Sequence, residues 1–162
     1  MLEVSAKGAL GRAGVLLMLL ASLLGASAAV YGIWRDDRRL LKQVPRYAWL
    51  AAAGAVLAVI MMQRALLTRD FSLAYVQQVG SANTPPLYNF AAMWSALEGS
   101  ILLWTLTLAG FTGAVAWQFR KRTDDRLVGW ALVVMFIVSA FFAFLSFGPA
   151  DAFANGAPGV TS

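Results

Sequence analysis

The chain has no cysteine and no histidine among its 162 residues. Without cysteine it can form no disulfide, bind no metal through a thiolate and use no thiol nucleophile. Without histidine it lacks the side chain that most often serves as a general base, a proton shuttle or a metal ligand. The sequence also contains no glycine-rich phosphate loop and no acidic cluster with metal-ligand spacing. We therefore predict no catalytic residue and no metal site in this chain alone.

Charged residues are scarce as well, at 13% of the chain, whereas 60% of the residues are hydrophobic. That balance exceeds what a soluble domain of this length can bury. Four windows reach the roughly 20 apolar residues that a helix needs to cross a bilayer. The predicted fold is a single all-α integral membrane domain over 1–162 with four transmembrane helices. Its predicted parts are helices at 13–34, 47–67, 99–119 and 127–148, an external aromatic connector at 68–98 and an external tail at 149–162.

Basic residues concentrate in two of the loops. They are Arg35, Arg38, Arg39, Lys42 and Arg46 after the first span, and Arg120, Lys121, Arg122 and Arg126 after the third. Such loops face the cytoplasm, so both termini and the connector are predicted on the external side. Aspartates are interspersed in both loops, which argues against nucleic acid as a partner. A cleaved signal peptide ending near Ala26-Ser27-Ala28 is an alternative for the first span, but an uncleaved helix fits the charge distribution better.

The connector is rich in aromatic residues around a single acid, Glu98. Amphipathic aromatic side chains favour the membrane–water boundary, so we predict short interfacial helices at 71–79 and from Pro85 onward, and a surface that recognises a partner. The residues assigned to this surface are Tyr75, Tyr88, Trp94, Glu98, Gly99, Ser100 and Trp104. The structural alternative is that the tryptophans only anchor the helices, while Glu98 caps a helix or pairs with Arg64 or Arg69.

Small residues recur one turn apart on three of the predicted spans, as expected of helix-packing faces. They are Ala21, Gly25 and Ala29 on the first span, Gly54 and Ala58 on the second, and Gly110 and Ala114 on the third. Ala109, by contrast, is predicted to face lipid. Met18, Met61 and Met62 are interpreted as residues that fill gaps in the core.

A series of short motifs follows in order through the connector and into the third span. The motifs are DFSLAYV from Asp70, PLY from Pro86, Trp94, and EGSILLW from Glu98 to Trp104. This series resembles the N-terminal region of the CcmF family, the haem-handling membrane subunits of cytochrome c maturation. The resemblance covers roughly residues 10–153, and Trp94-Ser95-Ala96 stands where the family often has Trp-Gly-Gly.

The resemblance implies a membrane scaffold that helps to deliver or attach haem to apocytochrome c on the outer face of a bacterial plasma membrane. It implies as partners the C-terminal portion or a split subunit of the same family, other maturation subunits, apocytochrome c and the lipid bilayer. Family members carry further helices, a Trp-rich motif and haem-ligating histidines that do not occur here, so the chain is expected to be a fragment or one piece of a split protein.

Haem is accordingly expected in the complete assembly only, with no axial ligand from this chain, and the seven connector residues would line a haem pathway or a partner surface. Two alternatives stay open from the residues themselves. One is a fragment of an ion- or proton-coupled transporter or channel in which Glu98 binds a cation or a proton. The other is a plain structural membrane subunit.

Overall fold

The computed structural model describes residues 2–68, 73, 76, 91, 97–122, 125–148, 151 and 153, with side chains from Gly8 onward. The helices that can be bounded within these ranges are α1 (Leu2–Arg35), α2 (Arg38–Leu41), α3 (Val44–Leu67), α4 (Leu97–Gln118) and α5 (Arg126–Phe147). The four long helices each belong to a segment long and apolar enough to cross a membrane. The predicted all-α, multi-pass membrane fold is confirmed.

The first helix begins at Leu2, well before the predicted residue 13. The apolar window marks only the part of a helix that suits hydrocarbon, whereas backbone hydrogen bonds continue through polar residues as long as no proline or cap intervenes. The other long helices begin and end within about three residues of the predicted spans.

The four long helices form a ring in which each packs against two others. Helix α1 contacts α3 and α5, and α4 closes the ring by contacting the same two helices. Neighbours run antiparallel, as shown by pairs such as Gly25 with Phe136 and Thr105 with Ser146. We call the end of the bundle that holds Gly8, Leu67, Leu97 and Phe147 the connector end. The opposite end, where α1 ends and α5 begins, is the basic end.

Helices α1 and α3 approach each other closely at two glycines. A Cβ built on Gly14 would stand 2.7 Å from the carbonyl oxygen of Gly54, and one on Gly54 would stand 2.5 Å from the carbonyl oxygen of Gly14. The atoms in the way belong to the backbone, so no side-chain rotation could relieve the overlap. The predicted packing role of Gly54 is confirmed, and Gly14 is a partner that the sequence reasoning did not identify.

Helix α4 packs through a different face from the one predicted. Ala109 is fully buried in the middle of the bundle, in a cluster with Met18 and several alanines that include Ala21. Gly110 and Ala114 are exposed, and nothing lies within 4 Å of a Cβ built on Gly110. The expectation that Ala109 faces lipid is therefore wrong, and Gly110 and Ala114 do not pack against the described part of this chain. Because α4 is apolar around its whole circumference, hydropathy does not distinguish its inner face from its outer face.

Aspartates shape the turns at the basic end. Asp37 caps α2 by accepting hydrogen bonds from the backbone N–H groups of Arg39 at 2.9 Å and Leu40 at 3.4 Å. Asp125 caps α5 by accepting from the N–H of Leu127 at 2.9 Å. Asp36 has a φ of 53°, a left-handed conformation that turns the chain between α1 and α2. Two of these aspartates thus cap helices in addition to diluting the positive charge of the loops.

Candidate functional site at the connector end

The predicted recognition surface is described only in part. Tyr75, Tyr88 and Trp94 lie outside the described residues. The other four members lie in the first turns of α4: Glu98, Gly99, Ser100 and Trp104.

These four residues do not share one face of α4. Gly99 is buried against the bundle, Glu98 and Ser100 are half-buried, and Trp104 points outward with 60% of its surface exposed. Gly99 and Trp104 are five residues apart, which places their side-chain directions about 140° apart on a helix with 3.6 residues per turn. Gly99 therefore lies on the buried side of α4, whereas Trp104 lies on the exposed side.

Glu98 lies in the first turn of α4, where a carboxylate interacts favourably with the N–H groups of the helix N-terminus. It forms no ion pair with the exposed Arg64. The part of the salt-bridge alternative that named Arg64 is therefore wrong, while Arg69 lies outside the described residues. Within the described part of the chain, the ion pair at this end is formed by other residues.

That ion pair joins the first helix to the tail. The Arg12 guanidinium donates to the carboxylate of Asp151 over 2.6 Å, and the side chains are 41% and 19% exposed, respectively. The other carboxylate oxygen of Asp151 accepts a hydrogen bond from the backbone N–H of Phe153 at 2.9 Å. This pair was not identified from the sequence. A basic residue near the start of the first span and an acid just after the last one are the signal that could have predicted the pair.

Phe153 closes the bundle next to this ion pair. It is 2% exposed, and its ring lies against Gly11, where any Cβ would collide with it. Two connector residues, Leu73 and Val76, are buried in the same apolar cluster. The leucine side chain comes within 3.2 Å of a Cβ built on Gly8. Connector and tail therefore both insert side chains into the end of the bundle.

A hydroxyl pair lies beneath this apolar cluster, between α4 and α5. The hydroxyl oxygens of Thr105 and Ser146 are 3.4 Å apart, and both residues are buried. Each hydroxyl also donates to a carbonyl one turn earlier, Thr105 to Ile101 at 2.7 Å and Ser146 to Phe142 at 3.0 Å. Each hydroxyl has a single proton, which its own helix uses, so the 3.4 Å contact is a packing contact between α4 and α5 and offers no reactive nucleophile.

In the part of the chain that the structure describes, the side chains do not fit axial ligation of a haem iron. No group of three carboxylate, histidine or cysteine side chains comes together in the described ranges. The two fully buried methionines, Met18 and Met62, belong to different clusters, so their sulfur atoms do not form the two sides of one site. What the connector end offers is a packed apolar platform, closed by an ion pair, that fixes the attachment of the connector and the tail.

No family model matches the chain. It is 35% identical over 133 residues, or 82% of its length, to the cytochrome c-type biogenesis protein CcmF of Pseudomonas aeruginosa. It is 34% identical over 129 residues, or 78% of its length, to CcmF of Escherichia coli K12. A solved structure of the cytochrome c heme lyase CcmF covers 91% of the chain with a TM-score of 0.82 and 32% identity. The chain belongs to the CcmF family.

The match accounts for a limited part of each CcmF relative. The chain spans 20% of the length of the Pseudomonas aeruginosa and Escherichia coli proteins and 25% of the solved CcmF chain. A match of this extent is what the motif series predicted for the N-terminal portion of a CcmF protein.

Proposed function

We propose that this chain acts in cytochrome c biogenesis as the N-terminal membrane scaffold of a CcmF-type assembly factor. The observation that carries the proposal is the fold match to the CcmF heme lyase, which extends over 91% of the chain at 32% identity. Haem is cargo of the complete assembly in this proposal, and its ligands come from segments outside this chain. The partners are the remaining portion of the CcmF protein, other maturation subunits and apocytochrome c.

The packing at the connector end supports a positioning role. Leu73 and Val76 bury their side chains in the bundle, so the connector is attached to a fixed surface near its start. Gly99 is buried at the start of α4, and Trp104 lies on the exposed side of the same helix. In this proposal, Glu98, Gly99, Ser100 and Trp104 form the described part of a surface that a haem pathway or partner uses, together with Tyr75, Tyr88 and Trp94.

A chimera tests the function directly. The chain is exchanged for the segment it matches in Escherichia coli CcmF, and the product is expressed in a strain that lacks its own CcmF. We expect covalent haem to appear in c-type cytochromes on haem-stained gels. A chimera that inserts into the membrane at normal levels, as shown by immunoblot, yet yields no haem-stained cytochrome would overturn the proposal.

Substitutions in the same chimera separate a recognition surface from a membrane anchor. Gly99→Leu and Glu98→Gln are expected to lower cytochrome c maturation, because the first adds bulk at a buried helix start and the second removes a half-buried charge. Ala114→Leu is the matched control, since Ala114 is exposed on the same helix. Wild-type maturation with both substitutions would show that this region serves only as an anchor.

The orientation that the role requires is a plasma-membrane protein with both termini and the connector on the periplasmic side. The basic loops at the opposite end of the bundle support this placement. Alkaline phosphatase fused after Asn83 or Ser162 should be active, and fused after Asp37 or Thr123 inactive. The reverse pattern would exclude a periplasmic role for the connector end.

A further inference from the structure

An open groove lies at the basic end, on the side of the bundle opposite the connector. It has a volume of about 640 Å³ and runs between the last turns of α1 and the first turns of α5. Its lining residues are Val30, Ile33, Trp34, Arg126 and Trp130. The helices approach closely beneath it, because Cδ1 of Ile33 lies 2.9 Å from a Cβ built on Gly129.

The groove changes in polarity from its floor to its mouth. Ile33 is 8% exposed and forms an apolar floor, whereas Trp34 is 85% exposed and Trp130 is half exposed at the sides. Arg126, the first residue of α5, is exposed and forms no ion pair with the described residues. An apolar slot bordered by tryptophans and one arginine matches the chemistry of a lipid, with an acyl chain in the slot and a phosphate at the mouth.

The surroundings favour an anionic ligand over a neutral one. Further basic residues lie in the loops at the same end of the bundle: Arg35, Arg38, Arg39, Lys42, Arg120, Lys121 and Arg122. The described acids at this end are Asp36, Asp37 and Asp125, which reduce the positive charge but are outnumbered by the basic residues. A basic residue contributes roughly 1 kcal/mol to the binding of an anionic lipid when it lies close to the headgroup, and the contribution falls off with distance, so Arg126 at the mouth of the groove should contribute more than the loop residues.

We propose that this groove binds one anionic phospholipid from the leaflet that contacts the basic loops. The phosphate is held by Arg126, and one acyl chain lies along Val30 and Ile33 between Trp34 and Trp130. This assignment is independent of the role in cytochrome c biogenesis, because it depends only on the groove and its charge.

Tryptophan quenching tests the proposal on the full chain in lipid nanodiscs. A variant keeps Trp34 and Trp130 and carries phenylalanine at the remaining tryptophan positions. The nanodiscs are made of phosphatidylcholine and contain a minor fraction of a lipid with brominated acyl chains. This brominated lipid is phosphatidylglycerol in one preparation and phosphatidylcholine in the other. Brominated phosphatidylglycerol is expected to quench more strongly than brominated phosphatidylcholine at the same fraction. Arg126→Gln should reduce this preference about fivefold, which is what roughly 1 kcal/mol corresponds to.

Two matched variants make the result specific to the groove. Arg122→Gln removes a charge at the same end of the bundle from a residue that does not line the groove, so the preference should persist. Arg126→Lys keeps the charge and should restore most of the preference, and circular dichroism confirms that each variant retains its helices. Equal quenching by the two brominated lipids would overturn the proposal. So would an equal effect of Arg126→Gln and Arg122→Gln, because that result indicates a general surface charge and no lipid site.

Discussion

Replacing Gly54 by alanine should destabilise the bundle, although alanine is the better helix former. The added Cβ would stand 2.5 Å from the carbonyl oxygen of Gly14 and 2.8 Å from the backbone nitrogen of Met18. Both atoms belong to the backbone of α1, so the overlap can be relieved only by moving α1 and α3 apart. Overpacking of this kind costs about 1–3 kcal/mol, and the gain in helix propensity from Gly to Ala offsets about 1 kcal/mol. We therefore expect a net loss of up to about 2 kcal/mol.

The matched control is Gly110→Ala on α4. Nothing lies within 4 Å of a Cβ at this position, so only the propensity gain should remain, and the stability should rise by up to about 1 kcal/mol. Unfolding of both variants is followed by far-UV circular dichroism in one detergent as sodium dodecyl sulfate is added. The reasoning fails if Gly54→Ala unfolds at the same or a higher denaturant fraction than Gly110→Ala. That result would mean that the two backbones are not in contact.

Three further predictions concern buried or partly buried contacts. Arg12→Gln and Asp151→Asn, measured singly and together, should show a coupling energy of about 0.5–1 kcal/mol, because the pair is only partly exposed. Zero coupling would show that the pair is not formed. Gly11→Ala should destabilise the wild-type chain, because the added Cβ meets the ring of Phe153. In a chain that already carries Phe153→Ala, the ring is absent and the same change should be nearly neutral. Additive losses of stability would contradict the contact. Ser139→Ala should raise stability by about 1 kcal/mol, because the buried hydroxyl has no hydrogen-bond partner among the described residues. A loss of stability would indicate that the hydroxyl bonds to a bound water.

The membrane fold could be predicted from the sequence because it depends on the lengths of apolar runs. A bilayer fixes how many residues a spanning helix needs, and the runs ending near Leu67, Gln118 and Phe147 meet that need with little internal charge, Arg64 near the end of the first being the exception. The faces of the helices were harder to predict. In water an amphipathic pattern marks the buried side, but lipid and protein interior are similarly apolar, so Ala109 and Gly110 look equivalent in the sequence. Only the structure shows that the first is buried and the second exposed.

The candidate site was predicted from aromatic content and from the CcmF motifs, and both signals point to residues of the connector and α4. Neither signal bears on Arg12 and Asp151, which are 139 residues apart; only the predicted four-span topology, which places both at the same end of the bundle, suggests that they could meet. The burial of Phe153 was equally hidden, since a single aromatic residue in a tail of small residues has no periodicity. Contacts that depend on how the helices are arranged had to be read from the structure.

The glycines of α1 show why this helix organises the whole chain. Each of five glycines faces a different part of the molecule: Gly8 the connector residue Leu73, Gly11 the tail residue Phe153, Gly14 the backbone of α3, Gly25 the ring of Phe136 on α5, and Gly32 the side chain of Leu41 on α2. A glycine inside a helix costs about 1 kcal/mol relative to alanine, so five such positions weaken α1 considerably as an isolated helix. The close contacts that they permit compensate for that cost only when all the partners are in place. Helix α1 is therefore stabilised mainly by its neighbours, and a side chain added at any one of these glycines should loosen the particular partner that it faces.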